Sequence, residues 1–446
     1  MRRERSMDFK EFALLGVLAM AACGELGGPT DIQEGATVPS SQPTFSQTPS
    51  SATAALGTPL VYVTNPAVAG VQVISTASNT VVATVPVNHP LQVAITPDGT
   101  FAYVTNFSPS SVRVIETATN TVVATVALSA APWGVAITPD GAFAYVAIPT
   151  AGEVHVIETA TNTVAATVTV GSSPLSLAVT PDGLFAYVAN SAGSSVSVVE
   201  TASNTVVATV SVQVKPWGVA IAPSGAFAYV THNTNQVSVI ETSTNTVVKA
   251  LGGFGNPSNQ PAITPDGASA YIANFVSRGA VSVIATATNT MMATVPVGNG
   301  PRGVGITPDG AFAYVAVTFS GTVSVIETAT NTVVATVPVG GTCCTGPIGV
   351  AITPLLTPQQ WVQLLIGYVE ELVDDSVLNQ GQGKSLLAKL RQALQGLDEA
   401  NTKAAANILG AFINEVQALM NAGILTPAQG DALVAPAQKA IDQLSG

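Results

Sequence analysis

Charge is scarce in this sequence: only 9% of its 446 residues are charged, while 47% are apolar. The net charge is −12 and no Lys/Arg cluster follows Lys10, which argues against nucleic acid as a partner. Outside the N-terminus, no uninterrupted apolar run approaches the roughly 20 residues that a membrane-spanning helix needs. The apolar residues occur in short bursts of Val, Ala and Ile between Thr, Asn, Gly and Pro, which predicts a mainly β body.

Histidine and cysteine are equally rare, with three residues of each. His89 and His232 fall in different repeats and His155 lies inside a predicted strand, so a histidine cluster for copper, iron or zinc is not predicted. No nucleophile and base arrangement and no phosphate loop is recognisable. The sequence therefore predicts no catalytic residue, no metal site and no cofactor.

The N-terminus has the features of an export signal. Basic residues precede an apolar stretch over residues 12–22, which ends in small residues before Cys23. Residues 20–23, Met-Ala-Ala-Cys, resemble the bacterial lipobox, which implies that Cys23 carries the lipid of a membrane anchor. An ordinary cleaved signal with an incidental cysteine is the alternative. Gly24 follows instead of Asp, which in Gram-negative lipoproteins implies the outer membrane or cell surface.

From Leu60 the sequence repeats with a period of about 42 residues. Each repeat contains four short segments that are rich in β-branched residues and bounded by Gly, Pro or Asn, which predicts a four-stranded antiparallel meander. The tyrosine of the second segment recurs at spacings of 41, 42, 42, 42, 42 and 43, as Tyr62, Tyr103, Tyr145, Tyr187, Tyr229, Tyr271 and Tyr314. Seven copies predict a seven-bladed β-propeller.

The ends of the repeat region predict how the ring closes. The region starts at a second strand, the one that carries Tyr62, without a first strand before it. Residues 348–353, IGVAIT, read as a first strand with no second strand after it. We predict that this C-terminal strand pairs with the strand of Tyr62, which removes the edge that an open ring would expose.

Four copies of a short motif relate the repeats to a known family. YVTN occurs at 62–65 and 103–106, YVAN at 187–190 and YIAN at 271–274. Over about 300 residues the chain resembles the YVTN family of β-propellers. The resemblance implies the fold but defines function only broadly, because such propellers serve as surface-layer proteins, binding modules and occasionally enzyme domains.

Alternate turns of an antiparallel meander lie on opposite faces of the ring. We call one the TPDG face: it carries the TPDG turns between first and second strands and the TNT or SNT turns between third and fourth strands. The opposite face, called the variable face, carries the connections between second and third strands and those between blades. The aspartates of the TPDG turns are interpreted as structural, not as metal ligands: Asp98, Asp140, Asp182, Asp266 and Asp309.

Ligand-contact candidates are expected on the variable face, because variation on a repeated scaffold can carry specificity. Trp133, Trp217 and Arg302 lie where first strands enter the central channel; packing at the channel mouth is the alternative for the two tryptophans. Three polar residues share the position where a connection begins, which fits either a ring of ligand groups or a bend stabilised by side-chain hydrogen bonds: Asn190, His232 and Asn274.

Cys343 and Cys344 are adjacent in a connection of the variable face. Export to an oxidising compartment permits a disulfide between them. A bridge between neighbouring residues is strained, so a disulfide and two free thiols both stay open.

After Pro354 the pattern changes to helical periodicity and is duplicated. The stretch from Val369 aligns with the stretch from Val416 at an offset of 47, which predicts two helical hairpins in a small four-helix domain. The segment resembles the FIMAH-type C-terminal domain of secreted bacterial proteins, which implies adhesion or contact with a partner.

The sequence therefore divides into a signal peptide (1–23), a flexible tether rich in Ser, Thr and Pro (24–57), a propeller (58–354) and a helical domain (355–446). Two classes of function stay open. The first is an envelope lipoprotein that binds an envelope polysaccharide or protein through its variable face. The second is a propeller enzyme of lactonase-like or lyase-like type. The lack of a recognisable catalytic site favours the binding or scaffold protein.

Overall fold

A computed structural model describes residues 58–255, 261–276, 279–341 and 345–445. The predicted signal peptide with Cys23, the tether, and the pair Cys343 and Cys344 lie outside these residues.

Seven four-stranded antiparallel sheets form a ring in the described part of the chain, which confirms the predicted seven-bladed propeller. Blade 1 contains β1 (Leu60–Asn65), β2 (Gly70–Ser75) and β3 (Thr80–Pro86), and it is completed by β28 (Val350–Ile352). Blade 2 contains β4 (Pro90–Ile95), β5 (Phe101–Asn106), β6 (Ser111–Glu116) and β7 (Thr121–Ala127). Blade 3 contains β8 (Val135–Ile137), β9 (Phe143–Ile148), β10 (Glu153–Glu158) and β11 (Thr163–Thr169). Blade 4 contains β12 (Pro174–Val179), β13 (Phe185–Asn190), β14 (Ser195–Glu200) and β15 (Thr205–Ser211).

The remaining blades follow the same order. Blade 5 contains β16 (Pro216–Ile221), β17 (Phe227–His232), β18 (Gln236–Glu241) and β19 (Thr246–Gly252). Blade 6 contains β20 (Ala262–Ile263), β21 (Ser269–Asn274), β22 (Gly279–Ala285) and β23 (Thr290–Gly298). Blade 7 contains β24 (Pro301–Ile306), β25 (Phe312–Val317), β26 (Thr322–Glu327) and β27 (Thr332–Pro338).

The ring closes between the two ends of the repeat region, as predicted. Strand β28 pairs antiparallel with β1, with Tyr62 opposite Ala351. Around this ladder, the N–H of Ile348 donates to the carbonyl of Thr64 at 2.9 Å, and the N–H of Thr64 donates to the carbonyl of Gly349 at 3.0 Å. Blade 1 therefore takes its innermost strand from the other end of the propeller sequence.

The apolar core lies between neighbouring blades. Because successive side chains of a strand point to opposite faces of its sheet, Tyr62 packs in one cluster with Val104 of blade 2, while Val61 and Val63 pack in another with Tyr314 of blade 7. Each blade thus buries both of its faces, which explains why the second strands are nearly continuous runs of apolar residues.

A hydrogen bond also joins each blade to the next. The repeated tyrosine is at most 1% exposed, and its hydroxyl donates to the Oδ1 atom of the asparagine in the TNT or SNT turn of the following blade. These asparagines all have φ between 52 and 54°, a conformation that asparagine tolerates better than most residues. The seven pairs are Tyr62–Asn120 (2.6 Å), Tyr103–Asn162 (2.8 Å), Tyr145–Asn204 (2.7 Å), Tyr187–Asn245 (2.6 Å), Tyr229–Asn289 (2.9 Å), Tyr271–Asn331 (2.7 Å) and Tyr314–Asn79 (2.6 Å).

The fourth strands form the outer rim of the ring. Each is the last strand of its sheet, and no other described strand pairs with its outer edge. Their sequences are variants of TVVATV, and Lys249 of β19 is the one charged residue within these seven strands. About half of the surface of several rim side chains is exposed: Val82, Val123, Val207, Val248, Met292 and Val334.

Four helices follow the propeller and confirm the predicted helical domain: α1 (Pro358–Asp374), α2 (Gln380–Asp398), α3 (Thr402–Asn421) and α4 (Pro427–Ser445). Each helix packs against the next, and α4 packs against α1 around a core that includes Trp361, Leu386 and Phe412. Helix α1 begins with a capping box in which Thr357 and Gln360 each accept a hydrogen bond from the other's backbone N–H. None of the described helices combines the length and apolarity needed to cross a membrane.

The helical domain meets the propeller on the TPDG face. The side-chain amide of Gln360 in α1 donates to the backbone carbonyl of Asp98, which belongs to the TPDG turn of blade 2. Pro354 lies against Gly99 of the same turn. Both ends of the propeller sequence therefore emerge on the TPDG face, because β1 begins and β28 ends there.

Candidate functional site

The polar groups of the TPDG face are engaged in the turns themselves. In blade 3, the Thr138 hydroxyl donates to Oδ1 of Asp140 at 2.5 Å, and the N–H of Ala142 donates to the same oxygen at 2.9 Å. The Thr138 hydroxyl, followed by the Ala142 N–H, lowers the pKa of the Asp140 carboxyl. These bonds are the ones expected of turn residues, and four other blades repeat them at Asp98, Asp182, Asp266 and Asp309.

The glutamates at the ends of the third strands are used in the same way. Thr119 donates its hydroxyl hydrogen to Oε2 of Glu116 at 2.7 Å within one turn. The equivalent bonds of other blades run from Thr161 to Glu158, from Ser203 to Glu200, from Thr244 to Glu241 and from Thr330 to Glu327. The TPDG face is thus a repeated set of locally satisfied turns.

The variable face brings two of the predicted candidates together. Trp133 precedes β8 in blade 3 and Trp217 lies in β16 of blade 5, with blade 4 between them. Their ring centroids are 6.2 Å apart and the ring planes cross at 87°, the edge-to-face geometry that aromatic rings favour. Both rings are partly exposed. They form one aromatic surface at the channel mouth.

Close backbone packing positions the tryptophans. The hydroxyl of Thr105 in blade 2 donates to the carbonyl of Trp133 at 2.7 Å. This bond holds the start of the innermost strand of blade 3 against blade 2. A Cβ atom at Gly134 would lie 2.5 Å from the carbonyl oxygen of Leu175, so the glycine after Trp133 permits this approach of blade 4. The recess beside the two rings, which Gln92 and Ser176 also line, has room for about one water molecule. A ligand would therefore lie across this surface.

The third candidate at the channel mouth, Arg302, lies in a second aromatic group. Its guanidinium carbon is 4.6 Å from the ring centroid of Phe275. The Phe275 ring is in turn 5.2 Å from the ring of Phe319, so blades 6 and 7 both contribute. Burial lowers the pKa of Arg302 to about 10, and the side chain stays protonated at neutral pH.

Sequence reasoning missed Phe275 and Phe319. The available signal was an aromatic residue just after the end of the second strand in two neighbouring blades. Gly300 shows why this pair fits: a Cβ atom there would lie 2.6 Å from the Phe319 ring.

The three polar residues at which connections begin are Asn190, His232 and Asn274. Each is buried and forms a hydrogen bond within its own blade. The Asn190 amide donates to Oγ of Ser197 at 2.9 Å, and the Asn274 amide donates to Oγ of Ser282 at 2.9 Å. His232 is fully buried, with Nε2 2.9 Å from Oγ of Ser238, and burial lowers its pKa. Each of the three residues thus bonds to a serine of its own blade, as the stabilised-bend alternative predicts.

The histidines do not assemble into a metal site in the described part of the chain. His155 lies 3.6 Å from the carboxylate of Glu153 and His89 belongs to another blade. No group of three His, Cys, Asp or Glu side chains among the described residues could hold a metal ion.

Comparison with known proteins identifies the fold. No family model and no curated protein matches the chain. Among solved structures, the hydrazine synthase of Kuenenia stuttgartiensis is similar over 60% of this chain and 90% of that one, with 24% identity and a TM-score of 0.54. A functionally unknown protein from Desulfotomaculum acetoxidans matches 66% of this chain and 99% of its own, with 19% identity and a TM-score of 0.57. The dihydro-heme d1 dehydrogenase NirN in complex with DHE matches 65% of this chain and 74% of its own, with 15% identity and a TM-score of 0.51. At these identities the likeness shows a shared β-propeller fold alone.

Proposed function

We propose that the chain is an exported envelope lipoprotein whose propeller binds an envelope polysaccharide or protein through the variable face. The contrast between the two faces carries this proposal. Polar side chains of the TPDG face are engaged in repeated turns, whereas the variable face presents the pair Trp133 and Trp217, which breaks the repeat. Partly exposed aromatic rings that are held by rigid strands are typical of binding surfaces.

Two resemblances in the sequence support the same function. The YVTN motifs relate the propeller to proteins that serve at cell surfaces, and the helical segment resembles the FIMAH-type domain of secreted proteins. The emergence of both propeller ends on the TPDG face adds a geometric argument. A tether leading from Cys23 to that face would leave the variable face available to a ligand.

An enzyme is the second candidate. Two of the similar structures are named for enzymes, a hydrazine synthase and a dehydrogenase. A panel of polysaccharides, peptidoglycan fragments and envelope proteins distinguishes the two candidates. Binding without chemical change supports a binding protein, and turnover of any panel member supports an enzyme.

Replacing both tryptophans, Trp133→Ala with Trp217→Ala, should weaken binding of the ligand found in that panel by about tenfold or more, because aromatic side chains that a ligand covers commonly contribute about 2 kcal/mol or more. Titration calorimetry measures the affinity, and thermal unfolding checks the fold. Asp140→Ala is the matched control: it removes the two turn hydrogen bonds that Asp140 accepts on the TPDG face, so it should lower stability by about 1–2 kcal/mol and leave affinity unchanged. Loss of binding in the turn variant alone would show that the faces are assigned wrongly.

Changing Cys23→Ser should release the protein from the membrane fraction, because the serine hydroxyl cannot replace the thiol that takes up the lipid. Partition of the wild-type and variant proteins into detergent, followed after expression in a Gram-negative host, measures this. Equal membrane association of the two proteins would contradict the lipid anchor.

A further inference from the structure

The carboxylates of the propeller are distributed unequally between its two faces. Ten of its eleven carboxylates lie on the TPDG face, five as the aspartates of TPDG turns and five as the glutamates that end third strands. The eleventh carboxylate belongs to Glu153, which begins β10 on the variable face. Its Oε2 atom lies 3.6 Å from Nε2 of His155. The variable face carries Lys215 and Arg302. An anionic ligand is therefore repelled by one face and attracted by the other.

Among the residues that the structure describes, no carboxylate pairs with Arg302. The structure does not describe the internal segments 256–260, 277–278 and 342–344, whose sequences contain no Asp or Glu. A partly buried cation without an anion is unfavourable, and here the ring of Phe275 offsets only part of that cost.

Packing alone does not explain an arginine at this position. The residues that occupy the same place in the first strands of blades 1, 2 and 4 are Ile348, Leu91 and Leu175, and the fold accepts them. A guanidinium that stacks on an aromatic ring keeps its N–H donors in the ring-parallel plane, where they can pair with two oxygens of one anionic group.

The aromatic side chains on the variable face indicate which class of molecule carries the anionic group. The Phe275 ring lies beside Arg302, and the Phe319 ring packs against it. Trp133 and Trp217 occupy, in blades 3 and 5, the first-strand position that Arg302 occupies in blade 7. The negative faces of such rings attract the weakly positive C–H groups of a sugar ring. The recess at the tryptophans is too small to admit a sugar, so an extended chain lying across the mouth fits this surface better than a small molecule.

We propose that the variable face binds an acidic polysaccharide, with an anionic oxygen group paired to Arg302 and sugar rings stacked on the neighbouring aromatic residues. This proposal rests on the function of the variable face as a binding surface and adds the chemical class of the ligand. Carboxylates of uronic acids and sulfate esters share the required chemistry.

The test uses the full chain in detergent and two matched pairs of polymers. Polygalacturonate is compared with its methyl ester, and dextran sulfate with dextran. We expect at least one acidic polymer to bind about tenfold or more tightly than its uncharged counterpart, because hydrogen bonds to charged groups contribute about 1.5–3 kcal/mol. The acidic polymer that binds identifies the anionic group as a carboxylate or a sulfate.

Variants separate a specific contact from general charge attraction. Arg302→Gln should weaken binding of the acidic polymer by about tenfold, and Arg302→Lys should restore little of it, since lysine cannot form the two-pronged contact. Lys249→Gln removes the same charge from the exposed rim and should leave the affinity within about twofold, as expected for a distant surface charge. Thermal unfolding verifies that each variant is folded.

Two results would overturn the proposal: equal affinities for the acidic and uncharged polymers, including no binding of either, or equal losses in the Arg302→Gln and Lys249→Gln variants. The function of the variable face is judged separately. Binding of any other panel member that depends on Trp133 and Trp217 but not on Arg302 would retain the proposed function and remove only this inference.

Discussion

A chain that ends at Gly346 should melt about 8 °C or more below a chain that ends at Pro354, because a loss of about 5 kcal/mol or more is divided by an unfolding entropy of about 0.6 kcal/mol/K for a domain of about 300 residues. Both chains lack the helical domain, so the comparison isolates residues 347–354. The shorter chain loses β28 and with it the ladder to β1. It also loses the contact in which the Thr318 hydroxyl donates to the carbonyl of Pro347 at 2.7 Å.

The physical reason is that closure satisfies groups that are otherwise sealed from water. Thr64 is fully buried, and its N–H, carbonyl and hydroxyl all bond to residues 348 and 349. Each buried group left without a partner costs about 1–3 kcal/mol, and uncovering Ile348 adds about 2 kcal/mol. Calorimetric melting of the two chains measures the difference. Equal melting temperatures with equal cooperativity would show that closure by the C-terminal strand contributes nothing to the fold.

Raising the pH from about 10 to about 12 should unfold the propeller in one steep transition, because a free tyrosine ionises near pH 10 and the propeller tyrosines resist ionisation. Burial raises the pKa of five of them to about 12: Tyr103, Tyr145, Tyr187, Tyr271 and Tyr314. Their folded-state pKa values lie above the unfolded value, so they stabilise the fold fully below pH 10 and lose that contribution as the pH rises toward 12.

The magnitude favours unfolding over gradual titration. A rise of the pKa from 10 to about 12 corresponds to roughly 3 kcal/mol for each tyrosine. Five such groups together approach the entire stability of a typical domain, about 5–15 kcal/mol. A phenolate also cannot donate the hydrogen bond that each tyrosine makes to the next blade. Unfolding should therefore precede complete ionisation.

Tyrosinate absorbance and circular dichroism, recorded on the same samples, test this expectation. The two signals should change together. Tyr368→Phe is the control, because Tyr368 lies in α1 and is the one tyrosine outside the propeller; its loss should leave the transition unchanged. Independent titration of the propeller tyrosines near pH 10 with the circular dichroism intact would contradict the role of their burial.

The fold could be predicted from sequence because the determining signals are local and repeated. The spacing of the tyrosines defined the blades, and residues 348–353 without a following second strand defined the closure. Strand and turn patterns extend over a few residues, so a single repeat contains the information for a single blade. Seven copies then make the assignment robust.

Contacts between blades could not be predicted in the same way. The asparagines were recognised as turn residues, but their role as acceptors for tyrosines of the preceding blade depends on how neighbouring sheets rotate against each other. Trp133 and Trp217 meet across blade 4, a contact between residues 84 positions apart that no local pattern encodes. Phe275 and Phe319 belong to the non-repeating connections, where the periodic signal ends.

The outer rim has a consequence for how copies of this protein behave at high concentration. Seven outer strand edges are left unpaired by the described residues, and they are flanked by exposed apolar side chains and a single lysine. Such edges can template strand addition between molecules. Proteins commonly blunt such edges with charge placed on them, whereas here the net charge of −12 resides largely away from the rim. Colloidal stability therefore depends on long-range repulsion between whole molecules, which salt screens and acid removes. Sideways self-association through the rim is then the contact that crowding and acidification promote.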